Sequence, residues 1–377
     1  MVSPTCAPAL LTARQLNRAT LARQWLLDRA DSPVVPAIDQ LAGLQAQWST
    51  SPYVALWTRL RGFQIEHLER ALRERRVVKA TLMRGTLHLV SAREFPLYVA
   101  ATRDPRHAAW TAEARRCGVD TELLRQEVIG FAADEPRTRE QILDLLADRA
   151  PQAEGSRWQR WRIVGEYGDL VLVPPSGLWR TWGGGRYAAA RHWLPDFSTA
   201  DPAEAYIHLV RRYLGAFGPA SRADIAGWSG QPVRRLAPAL EALAPELRTF
   251  TDERGRTLDD LAGAPRPPAG GRAPVRFLPR WDNLLLAHAD RTRVLPERFR
   301  KTVIRVNGDV LPTFLVEGVV AGAWEVTRQR NEAVLQLSPF EALEPADHRA
   351  LEDEGERLLR FVEPDAAGYA VRVAGVA

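Results

Sequence analysis

The segment Leu41-Ala-Gly-Leu-Gln45-Ala-Gln47-Trp48 sets two carboxamides two residues apart, just ahead of Ser49-Thr-Ser-Pro52. On a regular helix two residues turn a side chain by about 200°, so these amides would diverge. If the helix ends near Gly43 and the chain runs on extended, positions i and i+2 share a side and the amides converge. Converging amides accept and donate hydrogen bonds without changing charge. The residues alone leave two readings open: a polar site, or two exposed side chains at a helix terminus. The usual marks of nucleophilic, metal or nucleotide chemistry are missing. There is no GxSxG, HExxH or P-loop, and no GxGxxG between a strand and a helix. Gly183-Gly-Gly185 reads as a flexible turn, because a phosphate cradle needs a following helix. Cys6 and Cys117 are far apart and have no CxxC partner. That speaks against a disulfide framework or a cysteine zinc site and suits a reducing cytoplasm. Neither a metal nor a cofactor is expected.

The elements that must position Gln45 and Gln47 follow from periodicity. Helices are predicted over Ala13–Ala30, Val35–Leu44, Tyr53–Arg61 and Ile65–Arg75. Strands at Val77–Ala80 and Thr86–Val90 flank a turn at Arg84-Gly85. Helices followed by a two-stranded β wing outline a winged helix. The pattern recurs with a capped helix at Thr138–Arg149, a basic, aromatic helix beginning at Arg160–Val164, and strands at Leu170–Val173 and Trp179–Trp182. It recurs again with helices at Pro202–Phe217, Arg222–Ser229 and Pro232–Leu243, the last two shaped as a helix-turn-helix around Gly230. Leu261–Pro274 is rich in Pro, Gly and Ala and reads as a linker. Beyond it the chain turns to β, with apolar runs at Val275–Leu278 and Leu284–Ala287. A hairpin is expected at Asn307-Gly308-Asp309 after a strand Thr302–Val306, and another at Glu317-Gly318 between Thr313–Val316 and Val319–Val326. An amphipathic helix at Pro345–Phe361 carries an acidic run, read as a solvated face.

The 377 residues are 46% hydrophobic and 26% charged, ordinary for a globular chain of two to three domains. No run of eighteen apolar residues exists, so no membrane span is expected, and MVSPTCAPALL does not read as a signal peptide. A cytoplasmic protein is the expectation. Net charge is +5, unevenly spread. Arg59–Arg116 holds thirteen cations against six acids, and Glu341–Asp365 holds nine acids against three arginines. Only Lys79 and Lys301 are lysines. Codon usage in a GC-rich genome accounts for most of that bias, yet arginine also grips phosphates in a bidentate fork.

Three segments carry a resemblance to a known family: Leu41–Gln47, then Leu82-Met-Arg-Gly-Thr-Leu-His-Leu-Val90, then Phe277-Leu-Pro-Arg-Trp-Asp-Asn-Leu-Leu-Leu-Ala-His-Ala-Asp290 with Arg291 to Val294. Through nearly its whole length the chain resembles the AlkZ/YcaQ-like winged-helix DNA glycosylase superfamily. The first segment is similar to that family's Gln-aliphatic-Gln motif, and Gln47 places it with the AlkZ branch, since the YcaQ branch has an acid there. The resemblance implies an α+β fold of three tandem winged-helix units in a C-shaped arrangement with a β-rich C-terminal part. Here these would span residues 10–118, 119–198, 199–262 and 272–377.

The activity the resemblance implies is monofunctional hydrolysis of the N-glycosidic bond of cationic N7-alkylguanine. Bulky adducts and interstrand cross-links are included, in repair or in self-resistance to an alkylating natural product. Alkylation at N7 charges the base, so the leaving group needs no proton. The enzyme must place a water near the anomeric carbon and tolerate an oxocarbenium ion. An amide carbonyl oxygen accepts a hydrogen bond from such a water and orients it. The resemblance thus assigns Gln45 to the water and Gln47 to supporting it or the sugar. The partner is double-stranded DNA containing alkylated purines, bound by a monomer.

Weaker expectations concern DNA contacts. Arg84, Thr86 and His88 lie in the first wing, although His88 reads equally as a partly buried strand residue. His288, Arg291 and Arg293, near Asp290, are candidates to line a DNA cleft, against a structural role. The Glu317-Gly318 hairpin is a candidate to enter a groove. Trp281 and Asn283 read as a structural corner. The competing functions are a non-catalytic winged-helix DNA-binding transcription regulator and a protein-interaction scaffold.

Overall fold

The computed structural model describes residues 8–103, 118–151, 161, 164–165 and 168–375. The helix expected to begin at Arg160–Val164 falls mainly outside the described residues. After the short strand β1 (Ala9–Leu11), helix α1 (Ala13–Arg23) opens on a capping box between Thr12 and Gln15. It stops well short of Ala30. Trp25 adopts φ +52°, and the Leu26 N–H closes onto the Leu21 carbonyl, a left-handed helix end.

Helix α2 (Val34–Gln40) ends the same way, with Ala42 at φ +56° and Gly43 at φ +82°. The Gly43 N–H bonds the Ile38 carbonyl, and the chain leaves extended as β2 (Leu44–Gln45). Gly43 is needed there: a Cβ would lie 3.0 Å from Val90 Cγ1. Helices α3 (Ser51–Trp57) and α4 (Ile65–Arg73) follow. The hairpin β3 (Val77–Thr81) and β4 (Leu87–Ser91) then turns at Arg84 and Gly85, both left-handed.

Helix α5 (Phe95–Thr102) precedes α6 (Thr121–Phe131), β5 (Arg137–Thr138) and α7 (Arg139–Arg149), the last capped by Thr138 and Gln141 as its sequence predicts. Strand β6 (Leu170–Val173) pairs with β7 (Arg186–Ala189), not with Trp179–Trp182. That stretch is pulled onto α4, where the Trp179 N–H donates to Glu69, and Arg180 sits at φ +53°. One antiparallel sheet runs β2-β4-β3-β6-β7-β5, so the hairpins of the first two helical segments are joined through Lys79 and Leu172.

After the single helical turn α8 (Ala190–Trp193), helices α9 (Pro202–Phe217), α10 (Arg222–Ser229) and α11 (Val233–Ala242) form the third helical segment. Asp201 caps α9, Ser221 and Asp224 form a capping box on α10, and Gly230 ends it at φ +75°. A hairpin not anticipated from the sequence follows, β8 (Leu247–Asp252) and β9 (Thr257–Leu261), with β1 parallel to β8. Aspartates are poor strand formers. Asp260 is tolerated because the buried Arg23 guanidinium meets both its oxygens at 2.6 and 2.8 Å, and Arg266 joins them.

The C-terminal part is the five-stranded sheet β10 (Arg276–Leu278), β11 (Thr313–Val316), β12 (Val319–Gln329), β13 (Glu332–Pro339) and β14 (Gly368–Val373). Of the predicted strand Thr302–Val306, Thr302 and Val303 instead end helix α12 (Glu297–Val303), and Arg305 and Val306 are loop. An acid in the first turn with Arg300 and Lys301 in the last suits the helix dipole and outweighs the β-branched Thr302 and Val303. Only the Ile304–Val310 bridge remains of the expected hairpin. Helix α13 (Pro345–Val362) packs Leu351, Leu358 and Leu359 on this sheet. Its acidic run is not wholly solvated, since Glu354 is buried between Arg29 and Arg357.

Candidate active site and nucleic-acid interface

The exit from α2 decides the direction of both amides. Gln45 pairs with His88 across β2 and β4, and the Ala46 N–H bonds the Leu87 carbonyl. Asn283 Nδ2 donates to the Gly43 carbonyl at 2.8 Å, fastening the turn from behind. The chain is extended at Leu44 and Gln45 and bends at Gln47, and both residues line one open cleft of about 600 Å³, with Arg84, Thr86, Arg280 and Trp281 around them. Gln45 is only 7% exposed, whereas Gln47 is open to solvent. Arg84 Nη2 donates to Gln45 Oε1 at 2.9 Å, and the Leu87 N–H donates to Gln47 Oε1 at 3.3 Å. Each oxygen has two acceptor positions, so each keeps one beyond the bond described.

Arg84 is set by its own neighbours. It occupies the left-handed corner of the β3–β4 turn, and its Nη1 donates to the Trp228 carbonyl at 2.5 Å. Gly230, the glycine ending α10, lies so close that a Cβ would sit 3.2 Å from Arg84 Cα. The helix-turn-helix therefore braces the residue that holds the first amide. Across the cleft, Trp281 Nε1 donates to the Gly308 carbonyl at 2.9 Å, and Arg280 Nη1 reaches both Asp309 oxygens at 2.6 and 2.7 Å. Next to Gln47 in the chain, Trp48 meets Trp182; they are 42% and 54% exposed, and their ring centres are 4.5 Å apart, edge to face. The Arg280 guanidinium lies 5.5 Å from the Trp48 ring centre. Such a surface offers stacking faces, a cation and two fixed amides.

Other residues expected to meet DNA are placed elsewhere. Thr86 does line the cleft, its hydroxyl donating to the Met83 carbonyl. His88 is fully buried with Nδ1 2.9 Å from the Thr86 carbonyl, and although it is paired with Gln45 it does not line the cleft. His288 is buried and bonded to the Phe217 carbonyl, and burial followed by the nearby Arg293 charge pushes its imidazole well below the usual range. Arg293 is buried against the Pro219 carbonyl, and half-buried Arg291 donates to the Leu285 carbonyl. Burial lowers both guanidinium values. Glu317 is held by Arg18 and Arg272, and the Gly318 carbonyl accepts from Asn17. A Cβ on Gly318 would strike Leu21 Cδ1 at 2.4 Å, so this hairpin is docked on α1 and not free to enter a groove. The cleft residues Arg280, Asn307, Gly308 and Asp309 were not anticipated. Arg280 stands in the Phe277–Asp290 segment, beside Trp281 at φ +56°, and that neighbourhood was the available signal.

Among the described residues no group of His, Cys, Asp and Glu is arranged to hold a metal, and no helix is long and apolar enough to cross a membrane. The family described as DNA glycosylase AlkZ-like matches residues 38–361, which include both amides and the whole opposite wall of the cleft. The chain belongs to that family, and it is a DNA glycosylase. It is similar to an interstrand DNA cross-link repair glycosylase of Streptomyces sahachiroi, 27% identical over 92% of this chain and 95% of that protein. The fold is that of the Streptomyces sahachiroi DNA glycosylase AlkZ, with TM-score 0.79 and 22% identity over 97% of this chain and 100% of the other.

Proposed function

We propose that this glycosylase hydrolyses the N-glycosidic bond of cationic N7-alkylguanine in duplex DNA, with Gln45 and Gln47 holding the attacking water. The observation that carries the reading is the convergence of two fixed, neutral amides on one open cleft beside an arginine. Water attacks the anomeric carbon, the bond to N9 breaks, and its electron pair neutralises the base as it leaves. The proton lost by the water passes to solvent. No group has to protonate the leaving base, because the alkyl group has already charged it. What the site supplies is orientation, with the Arg84 bond fixing the Gln45 amide before the lesion arrives.

The three helix-plus-hairpin segments and the β-rich part, at the boundaries given above, would present this cleft to DNA as winged helices in a C-shaped monomer. Similarity to a cross-link repair glycosylase supports bulky adducts and interstrand cross-links as substrates. In the test, duplex containing N7-methylguanine is incubated with protein and abasic sites are counted. Wild type is expected to release the base, and Gln45→Ala to lose about a hundredfold or more in rate while still binding duplex. Binding without release by wild type would reject cationic N7-alkylguanine as the substrate class.

A further inference from the structure

A second cavity, of about 520 Å³, is lined by Trp48 and Arg280 but by neither glutamine. Its walls come from α3, the Trp179–Arg180 turn and strands β12 and β13, and Arg280 lines both spaces. Three tryptophans face it: Trp48, Trp179 and Trp324. Trp324 is immobilised by its Nε1, which donates to the Leu278 and Thr313 carbonyls at 2.9 and 3.1 Å. Trp179 is fixed edge-on against Tyr53, with ring centres 5.1 Å apart. Fixed aromatic walls around a space of this size suit a planar apolar guest, since small-molecule sites run to roughly 300–1,000 Å³.

Resting on the alkylguanine reading above, we propose that this cavity is the subsite for a bulky aromatic substituent carried on guanine N7. The geometry of the base supplies the argument. N7 and N9 belong to the same five-membered ring, so the substituent begins one ring away from the bond that is cut. N7 also opens to the major groove, and the substituent therefore leaves the helix sideways. A site that reaches the anomeric carbon must have space for the substituent immediately beside it. Trp48 follows Gln47 directly in the chain, so the wall of the second cavity starts one residue from the second amide. A methyl group would not reach it, whereas an arylmethyl group would pass Trp48 and stack among the tryptophans.

Ser338 and Ala323 line only the second cavity, away from the amides. The test compares release of 7-methylguanine and of a 7-(naphthylmethyl)guanine from duplex by wild type, Ser338→Trp and Ala323→Phe. The expected result is a loss of about tenfold or more in kcat/KM for the bulky lesion alone. Equal losses on both lesions would show that the cavity receives an unstacked normal base, and no loss on either would show that it receives nothing; each overturns the proposal. A second measurement titrates the two free bases into wild type and follows tryptophan fluorescence. The arylmethyl base is expected to bind about tenfold more tightly, and equal binding overturns the subsite. If wild type binds the arylmethyl base but releases neither lesion, the hydrolysis reading fails and the subsite stands.

Discussion

Two polar regions of the molecule lie back to back and are built on opposite rules. The cleft holds neutral amides, each with one hydrogen bond made and acceptor capacity left over. Behind it, the ionisable groups are buried and spent. Arg59 forks onto Asp282 at 2.9 and 2.8 Å and adds a bond to Gln24, tying the Phe277–Asp290 segment to α3 and α1. Asp224 takes the Ser221 N–H at 2.9 Å and the Ala289 N–H at 2.8 Å, tying the same segment to α10. Buried charges must be paired to be tolerated, and pairing removes them from chemistry. The residues that look most reactive in this sequence therefore hold the architecture, and the least reactive ones line the cleft.

The largest effect should come from breaking the structural half of that contrast. Asp282→Ala leaves the Arg59 guanidinium buried without its carboxylate, and loss of about 3–5 kcal/mol is expected from such a site. Asp282 also caps the turn that carries Asn283, whose amide fastens Gly43. Urea unfolding measures the change. A loss below about 1 kcal/mol, the level of an exposed pair, would mean that the charges behind the cleft are not structural.

How much of this contrast the sequence disclosed depends on how local the cause was. The bounds of α9 and α10 were legible because Asp201, Pro202, Ser221, Asp224 and Gly230 act within a turn of their own positions. The convergence of Gln45 and Gln47 was legible for the same reason, through Gly43. The pairing of Arg59 with Asp282 spans more than two hundred residues, and no spacing rule encodes it. Nor did the sequence show that His88 and His288 face inward, since strand and turn positions alone do not say which side is covered. The Trp179–Trp182 stretch failed as a strand because a distant Glu69 claims its backbone N–H.

The next effect sharpens the catalytic half. Arg84→Met keeps the stem of the side chain but frees Gln45 Oε1. The amide then has to be ordered during reaction, and a loss of about ten- to a hundredfold in kcat is expected. Arg84 is a positioning residue on this view, so KM for damaged duplex should stay put and Arg84→Lys should recover part of the rate. A change in KM with kcat intact would make Arg84 a phosphate clamp instead.

The smallest effect separates the two regions by pH. Burial holds His288 neutral in the folded protein, below its unfolded value of about 6.5. The stability this gives is whole above that pH and is lost as pH falls toward the lower folded value. Burial penalises the Asp224 charge, but the charge His288 gains on protonation and the Ser221 and Ala289 donors outweigh that penalty and hold the carboxyl below its usual range. Its contribution is present above about pH 4 and goes only in stronger acid. Between these limits stability should fall with acid by at most about 1.4 kcal/mol per pH unit, and His288→Gln should flatten the slope. Base release should not follow. The amides do not titrate, and Asp309, the carboxylate lining the cleft, is held by Arg280. From pH 6 to 9 the single-turnover rate on N7-methylguanine duplex should vary by about twofold or less, because no general base with a pKa in that range takes part. A limb near neutrality in that profile would place an ionisable base at the reacting water and erase the distinction between the two regions.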